Sequence, residues 1–430
     1  MPLARRLGFV SLLIYGIGNI LGAGIYALVG KVAEVSFHGI WLIFLLAALM
    51  ALLTGISYAE LSSRYPVAAG AVAFVKRAFQ SPMVATLTGV FVLGTGLASA
   101  ATITVAFSGY LQKLIIINDA LAKIILVSSL CFLSFWGIKE SSRVNILFTF
   151  IEVCGLIAVI VVGVKLINPA ILEQFSQNPL QGLQLNQIGI GIALAFYAYI
   201  GFEDLSNLAE EAKNPSRDIP RVILISIGVS TVLYTLVALC LVLNVPAQLI
   251  HQSTTPLLLV FQQTGIANIN TYFSLVALLA ISNTGLINLI MASRLLYGMS
   301  EENLLPAWIG KVHHARQTPW VAILLTYSFV LLLVFTGGVK ILAQTTSLMI
   351  TTVFLMVHLS LIKLKLKKAP PAPTQFPILF PLLGAASCIA LLTQFPWQAF
   401  ARSLLFLAIG IVIWLLNQKM TLKKKKYRSL

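Results

Sequence analysis

Charge is what this chain of 430 residues has least of: 13 Asp and Glu and 29 Lys and Arg make only 10% of the sequence. A soluble domain carries about a quarter of its residues charged, so a water-exposed globule is excluded. A mean hydropathy of +0.94 and 59% hydrophobic residues place the chain in lipid instead. Cysteine is nearly as scarce. Cys131, Cys154, Cys240 and Cys388 all fall inside apolar runs without paired spacing, which argues against a disulfide frame or a metal cluster and for small apolar packers. His313 and His314 sit together in a basic loop with no acid or cysteine beside them and read as solvated. There is no HExxH and no GxxxxGK[ST], which removes zinc hydrolysis of that type and ATP-driven pumping by this chain. No polar stretch is long enough for a soluble catalytic domain, so an embedded enzyme has nowhere to assemble its site. Metal and cofactor are both expected to be absent, and the chain is expected not to be an enzyme.

What is present is a succession of apolar runs long enough to cross about 30 Å of hydrocarbon, and they amount to about twelve spans. The first covers residues 7–29, the fifth 146–166, the sixth 188–208 and the last 404–416. The first run leads directly into another, so no cleavable signal peptide is expected.

The formal charge of +16 is informative through its placement. With the N-terminus inside, 23 of the 29 Lys and Arg fall on the cytoplasmic side, and Lys31, Lys113, Lys123, Lys165, Lys340 and Arg402 remain outside. This is the positive-inside pattern of an even number of spans with both termini cytoplasmic. The basic balance reports topology and not nucleic acid. The Lys423–Lys426 run reads as a solvated tail near anionic lipid.

One stretch breaks the pattern. "YGIGNILGAGIYALVG", residues 15–30, puts five glycines into the first span, and Gly22, Ala23 and Gly24 weaken the helix at its middle. A second disturbance lies in the sixth span, "GIGIALAFYAYIGFEDLSNLAEEAKNP", which meets Gly201 and then turns acidic at Glu203 and Asp204. Spans one and six are the first members of two five-span sets, the positions at which an inverted-repeat transporter interrupts its helices. Unpaired backbone is tolerated at membrane depth only where it lines a cavity or binds something. Freed amides around Gly22–Gly24 offer a positive dipole end to a carboxylate, and freed carbonyls around Phe196–Gly201 offer the complement to an ammonium. A zwitterionic amino acid satisfies both. The alternative use of the same glycines is a close-packing helix face.

At these stretches the sequence resembles the amino acid/polyamine/organocation permeases, and most of all the branch that holds cationic amino acid transporters and related bacterial permeases. The resemblance is carried by "GIGNILGAGIYALVGKVA", "YAELSSRYPVAAGAVAFVKRAF", "GIKESSRVNILFTFIE", "FYAYIGFEDLSNLAEEAKNPSRDIP" and "ASRLLYGMSEENLLPAWIGKVHHARQTPWVAI", together spanning about residues 7–323. It implies an all-α polytopic protein with the LeuT-like fold and discontinuous helices 1 and 6. Residues 1–180 would form the first inverted repeat, 181–368 the second, and 369–430 two additional helices and a basic tail, all in one membrane domain. It also implies that Ile20, Gly22, Ala23, Gly24 and Ile25 cradle a substrate carboxylate, while Phe196, Ala198, Tyr199 and Ile200 take the amine. The implied activity is secondary transport of an amino acid by alternating access in a bacterial cytoplasmic membrane, with the proton as coupling ion. Polyamine or organic-cation transport, exchange, and sensing without transport are the other readings.

The chain departs from that branch where its members often carry lysine in span five: "VNILFTFIE" ends instead in Glu152. Intramembrane carboxylates are costly and functional by default, and burial penalises the charge, so Glu152 is the candidate proton carrier or the partner of a cationic substrate. A satisfied internal ion pair or hydrogen bond is the plainer reading. Asn19 is expected to contact substrate or cap the broken helix, and Glu203 and Asp204 to titrate, cap, or bridge to span one. Ser282 and Asn283, with Thr284, are candidates for a cation site, although such hydroxyls usually bond their own backbone. "GIKESSR" and "EEAKNPSRD" read as charged cytoplasmic loops able to form gate ion pairs, with Pro215 and Pro220 stopping and restarting helices.

Overall fold

The computed structural model describes residues 7–67, 70–112, 114–136, 138–184, 187–209, 212–253, 255–262, 264, 268–301, 304–314, 316 and 318–428. Lipid cannot hydrogen bond to a backbone, so the long apolar runs close their N–H and C=O groups within helices. Among the described residues regular structure is helical, and the one β-bridge joins Leu7 to Ala212.

In chain order the helices are α1 (Phe9–Ser36), α2 (Ile40–Arg64), α3 (Gly70–Phe79), α4 (Pro82–Leu111), α5 (Asp119–Trp136), α6 (Ile138–Lys165), α7 (Pro169–Gln177), α8 (Ile188–Tyr199), α9 (Pro215–Asn244), α10 (Ala247–Gln252), α11 (Pro256–Gln262), α12 (Ile269–Glu301), α13 (Trp320–Val334), α14 (Val339–Leu366), α15 (Leu379–Leu392) and α16 (Trp397–Arg428). Nine helical stretches among the described residues are long and apolar enough to cross a membrane, ten if the pair Leu379–Leu392 and Trp397–Val412, bent by 112°, crosses as one. α13, at 15 residues, covers only about 22 Å at 1.5 Å per residue.

α1 packs on α8, α9 and α6, α2 on α9 and α8, and α4 on α12 and α14. α1 and α8 therefore run inside the bundle and not at its lipid surface. Leu12, Ile20, Leu21, Ile25 and Tyr26 of α1 and Ala193 to Tyr199 of α8 are buried in one core cluster, with Tyr197 in a small one beside it.

Three local expectations change. Cys154 is exposed on α6 and Cys131 half-buried, so only Cys240 and Cys388 are buried packers; all four thiols are free. "GIKESSR" is not a loop, because residues 138–143 already form the first turns of α6. Pro215 starts α9 at a position that needs no N–H donor, but Pro220 lies within that helix and restarts nothing. Glu210 and Glu211 of the other charged segment lie outside the described residues.

Candidate functional site

The backbone of α1 leaves helical geometry at Gly22, where φ is −27° and ψ is −156°. α8 stops at Tyr199, Gly201 follows with φ +129°, and residues Phe202–Leu208 continue as a 3₁₀ segment. Only glycine fits at 201. A side chain there would be strained by the positive φ, and its Cβ would lie 2.6 Å from the Asn19 carbonyl oxygen. At Gly24 an added Cβ would come 2.5 Å from the Ala198 Cα, so the two irregular segments meet backbone to backbone. An added Cβ at Gly22 would meet a side chain and not backbone, the hydroxyl of Thr284 on α12.

Polar groups join the two segments. The Asn19 Nδ2 donates to the Gly201 carbonyl at 2.7 Å and to the Asp204 carboxylate at 3.0 Å. Glu203 turns its carboxylate back to accept the Gly201 N–H at 2.8 Å, capping the interrupted backbone. Glu203 thus makes a capping bond and Asp204 a bridging bond to α1. The last four carbonyls of any helix lack intrahelical partners. In α8 the Tyr197 carbonyl accepts the Ile200 N–H at 3.2 Å, and the Ala198 carbonyl faces the Tyr234 hydroxyl of α9 at 3.0 Å. That hydroxyl is also 2.5 Å from the Ile20 carbonyl, so one oxygen stands between backbone acceptors of both segments.

Ile20, Gly22, Gly24, Ile25, Phe196, Ala198 and Tyr199 are all buried, and Ile200 is half-buried. The Ala23 backbone continues α1 beside Gly22. Of the candidates on α12, Thr284 faces Gly22, while Ser282 and Asn283 make other contacts. Ser282 bonds its own helix at the Leu278 carbonyl, and Asn283 accepts from Asn145 at 3.1 Å and reaches Thr149 at 3.4 Å, both on α6. Glu152 is fully buried on α6, and neither carboxylate oxygen has a hydrogen-bond partner among the described residues. Its backbone carbonyl accepts the Tyr26 hydroxyl at 3.3 Å, which puts it one turn beyond the irregular part of α1. The ion-pair reading of Glu152 therefore lacks a partner within the described chain.

Several residues of this region carry no motif in the sequence. Tyr234 sits in an apolar run broken only by small hydroxyl residues, Ser226, Ser230, Thr231 and Thr235. Ser99 of α4 joins the Tyr197 hydroxyl at 3.0 Å to the Asn288 amide at 2.9 Å, and the one legible signal of this trio is a polar side chain inside a span.

Nine or ten membrane-spanning-length apolar helices among the described residues, with irregular backbone buried between them, fit an integral membrane protein of the transporter class. The model of the Amino acid permease family matches residues 11–428, and the chain belongs to that family, within the amino acid/polyamine/organocation permeases. It is 28% identical to the branched-chain amino acid permease BcaP of Bacillus subtilis over 97% of this chain and 94% of that protein. It is 26% identical to the methylthioribose transporter of the same organism over 97% and 94%. Against the chloroplastic cationic amino acid transporter 9 of Arabidopsis thaliana it is 30% identical over 72% of this chain and 58% of that protein. These relatives are named as transporters and not as enzymes; two of the three carry amino acids and one methylthioribose, and membership of the Amino acid permease family makes amino acid transport the function of this chain.

Proposed function

We propose that this chain is a secondary active amino acid transporter that couples uptake to protons by alternating access. The observation that carries the reading is the convergence of the Ile20 and Ala198 carbonyls on the single Tyr234 hydroxyl, 2.5 and 3.0 Å away. Two acceptors from two irregular segments form an electronegative point suited to a substrate ammonium, which assigns the Ile20 carbonyl to the amine and not, as the resemblance implied, to the carboxylate. The backbone around Gly22, Ala23 and Gly24 supplies amides for the carboxylate. Ile20, Ile25, Phe196 and Ile200 give the surroundings apolar side chains, which favours an aliphatic substrate. Tyr199 closes the amine side.

In this reading the chain crosses the bilayer twelve times, α13, α15 and α16 each making one crossing, in the LeuT-like arrangement of two inverted repeats and two added helices. Both termini face the cytoplasm of a bacterium, as the basic residues favour. Glu152 takes and releases the coupling proton. A cationic amino acid is the second reading, favoured by the same carboxylate, because a buried acid with no partner in the described chain suits a substrate that brings its own cation.

Purified protein in proteoliposomes tests this. Accumulation of a branched-chain or other aliphatic amino acid, driven by an acid exterior and indifferent to sodium, is the expected result. Binding without accumulation would leave a sensor, accumulation of putrescine would leave a polyamine carrier, and accumulation of lysine or arginine would select the second reading.

A further inference from the structure

The motif "YAELSSRYP" at the end of α2 places Tyr58 and Leu61 in the core and, between them, an acid that the site above does not use. That acid, Glu60, is fully buried. Glu60 Oε2 accepts the Phe376 N–H at 3.0 Å, and Oε1 lies 2.6 Å from the Lys365 ammonium of α14 as an ion pair. Lys365 in turn donates to the Phe376 carbonyl at 2.7 Å. Arg64, one turn on from Glu60 and 3.6 Å from it, donates to the Pro370 carbonyl at 2.5 Å, and Ser63 accepts the Thr374 N–H at 3.3 Å. The α14–α15 connection, residues 367–378, is thus strapped to α2 at residues 370, 374 and 376. A buried carboxylate is costly unless paired and hydrogen bonded, so the strap and Glu60 depend on each other. Beside the strap lies a cavity of about 400 Å³ whose lining includes Arg64, Ser216, Pro370 and Pro373.

The two helices joined here also carry the rings nearest the second irregular segment. Tyr58, two residues before Glu60, stands edge-on to Phe354 of α14 at 5.6 Å between centroids, and both pack on Phe202, at 5.9 and 5.4 Å. Phe354 also meets Phe196 at 5.9 Å. The spacing of α2 and α14 therefore bears on whether these rings stay closed; it is held at the helix ends by the ion pair and, nearer the rings, by Ser57 and Thr54 of α2 on the His358 ring of α14 at 2.9 and 3.3 Å.

We propose that Glu60 and Lys365, with the strap they hold, form a lock that keeps α2 and α14 together at the face bearing Arg64 and Pro370 and must part before solute at the second irregular segment can reach that face. They are positioning residues: they act on the rings and touch no substrate. The inference rests on the alternating-access reading above, and its test is read separately from transport.

Ser206 is 1% exposed and sits on the 3₁₀ segment directly after these rings, which makes Ser206→Cys a compact reporter. It is placed in the full-length chain with the four native cysteines changed to alanine, in nanodiscs, and treated with a charged maleimide. Glu60→Gln keeps an acceptor for the Phe376 N–H and loses the charge, Lys365→Met loses the partner charge, and Lys365→Arg keeps it. Labelling of the reporter thiol at position 206 is expected to quicken by about tenfold or more in the first two variants and to stay at the parental rate in the third. Should Glu60→Gln not fold, Lys365→Met and Ser63→Ala carry the same expectation. Rates within about twofold of the parent in every charge-removing variant overturn the lock. Faster labelling together with a parent that moves no amino acid in proteoliposomes would retain the lock and remove the transport reading; parental labelling with intact transport would do the reverse.

Discussion

Asn19 and Asp204 are hydrogen bonded across the two irregular segments, Nδ2 to Oδ2 at 3.0 Å, and the second proton of the same amide goes to the Gly201 carbonyl at 2.7 Å. One side chain thus holds α1 against the backbone that follows α8. Asn19→Ala leaves a buried carbonyl and a carboxylate each short of a donor, at a cost of about 2–4 kcal/mol. Asn19→Asp is expected to be worse, because it sets an acid against Asp204 and the adjacent Glu203. Thermal unfolding of the purified variants should rank wild type above Asn19→Ala above Asn19→Asp. The reverse order of the two variants would mean that Asp204 does not face residue 19.

Tyr234→Phe removes one oxygen and changes little in shape. If the hydroxyl orders the Ile20 and Ala198 carbonyls for an ammonium, its loss leaves them to spread or take water, and substrate KM should rise by about tenfold, equivalent to the 1–2 kcal/mol of one buried hydrogen bond. An unchanged KM in proteoliposome uptake would place the amine elsewhere.

Why was Tyr234 not legible while Gly22 and Gly201 were? A glycine cluster in a span contradicts helix propensity, and two acids after Gly201 contradict burial, so both mark themselves against an apolar background. Tyr234 contradicts nothing. In lipid the outer face of a helix is as apolar as its packed face, so periodicity does not say that α9 turns residue 234 toward α1 and α8. The same blindness hid the Asn145–Asn283–Thr149 contacts, which join the cation-site candidate Asn283 to α6. Glu60 was hidden for a different reason: its partners, Lys365 and Phe376, are some 300 residues away, and only the tertiary structure brings them to α2.

Gly24→Ala should abolish uptake. The added Cβ meets the Ala198 Cα at 2.5 Å, and because that atom is backbone neither segment can yield without parting from the other. Gly298→Ala in α12 is the control, since nothing lies within 4 Å of its would-be Cβ, and it should stabilise its helix by about 0.5–1 kcal/mol. Uptake by the two variants separates close approach at the site from glycine loss in general.

Glu152 sets stability against coupling. Both of its carboxylate oxygens are buried without a partner among the described residues, so within that part of the chain the group is desolvated with no compensating bond. Glu152→Met fills the same space without a polar atom and is expected to stabilise the protein by about 1–3 kcal/mol, seen as a higher melting temperature. The same substitution removes the proposed proton carrier. Glu152→Gln removes it while keeping the shape, so both variants should lose accumulation driven by an acid exterior yet still exchange internal for external substrate, because exchange needs no net proton movement. A variant that gains stability and keeps its full response to the pH gradient would show that the proton travels by another residue. A variant that loses stability would show that the folded protein gives Glu152 a compensating partner, and the carboxylate would then be structural.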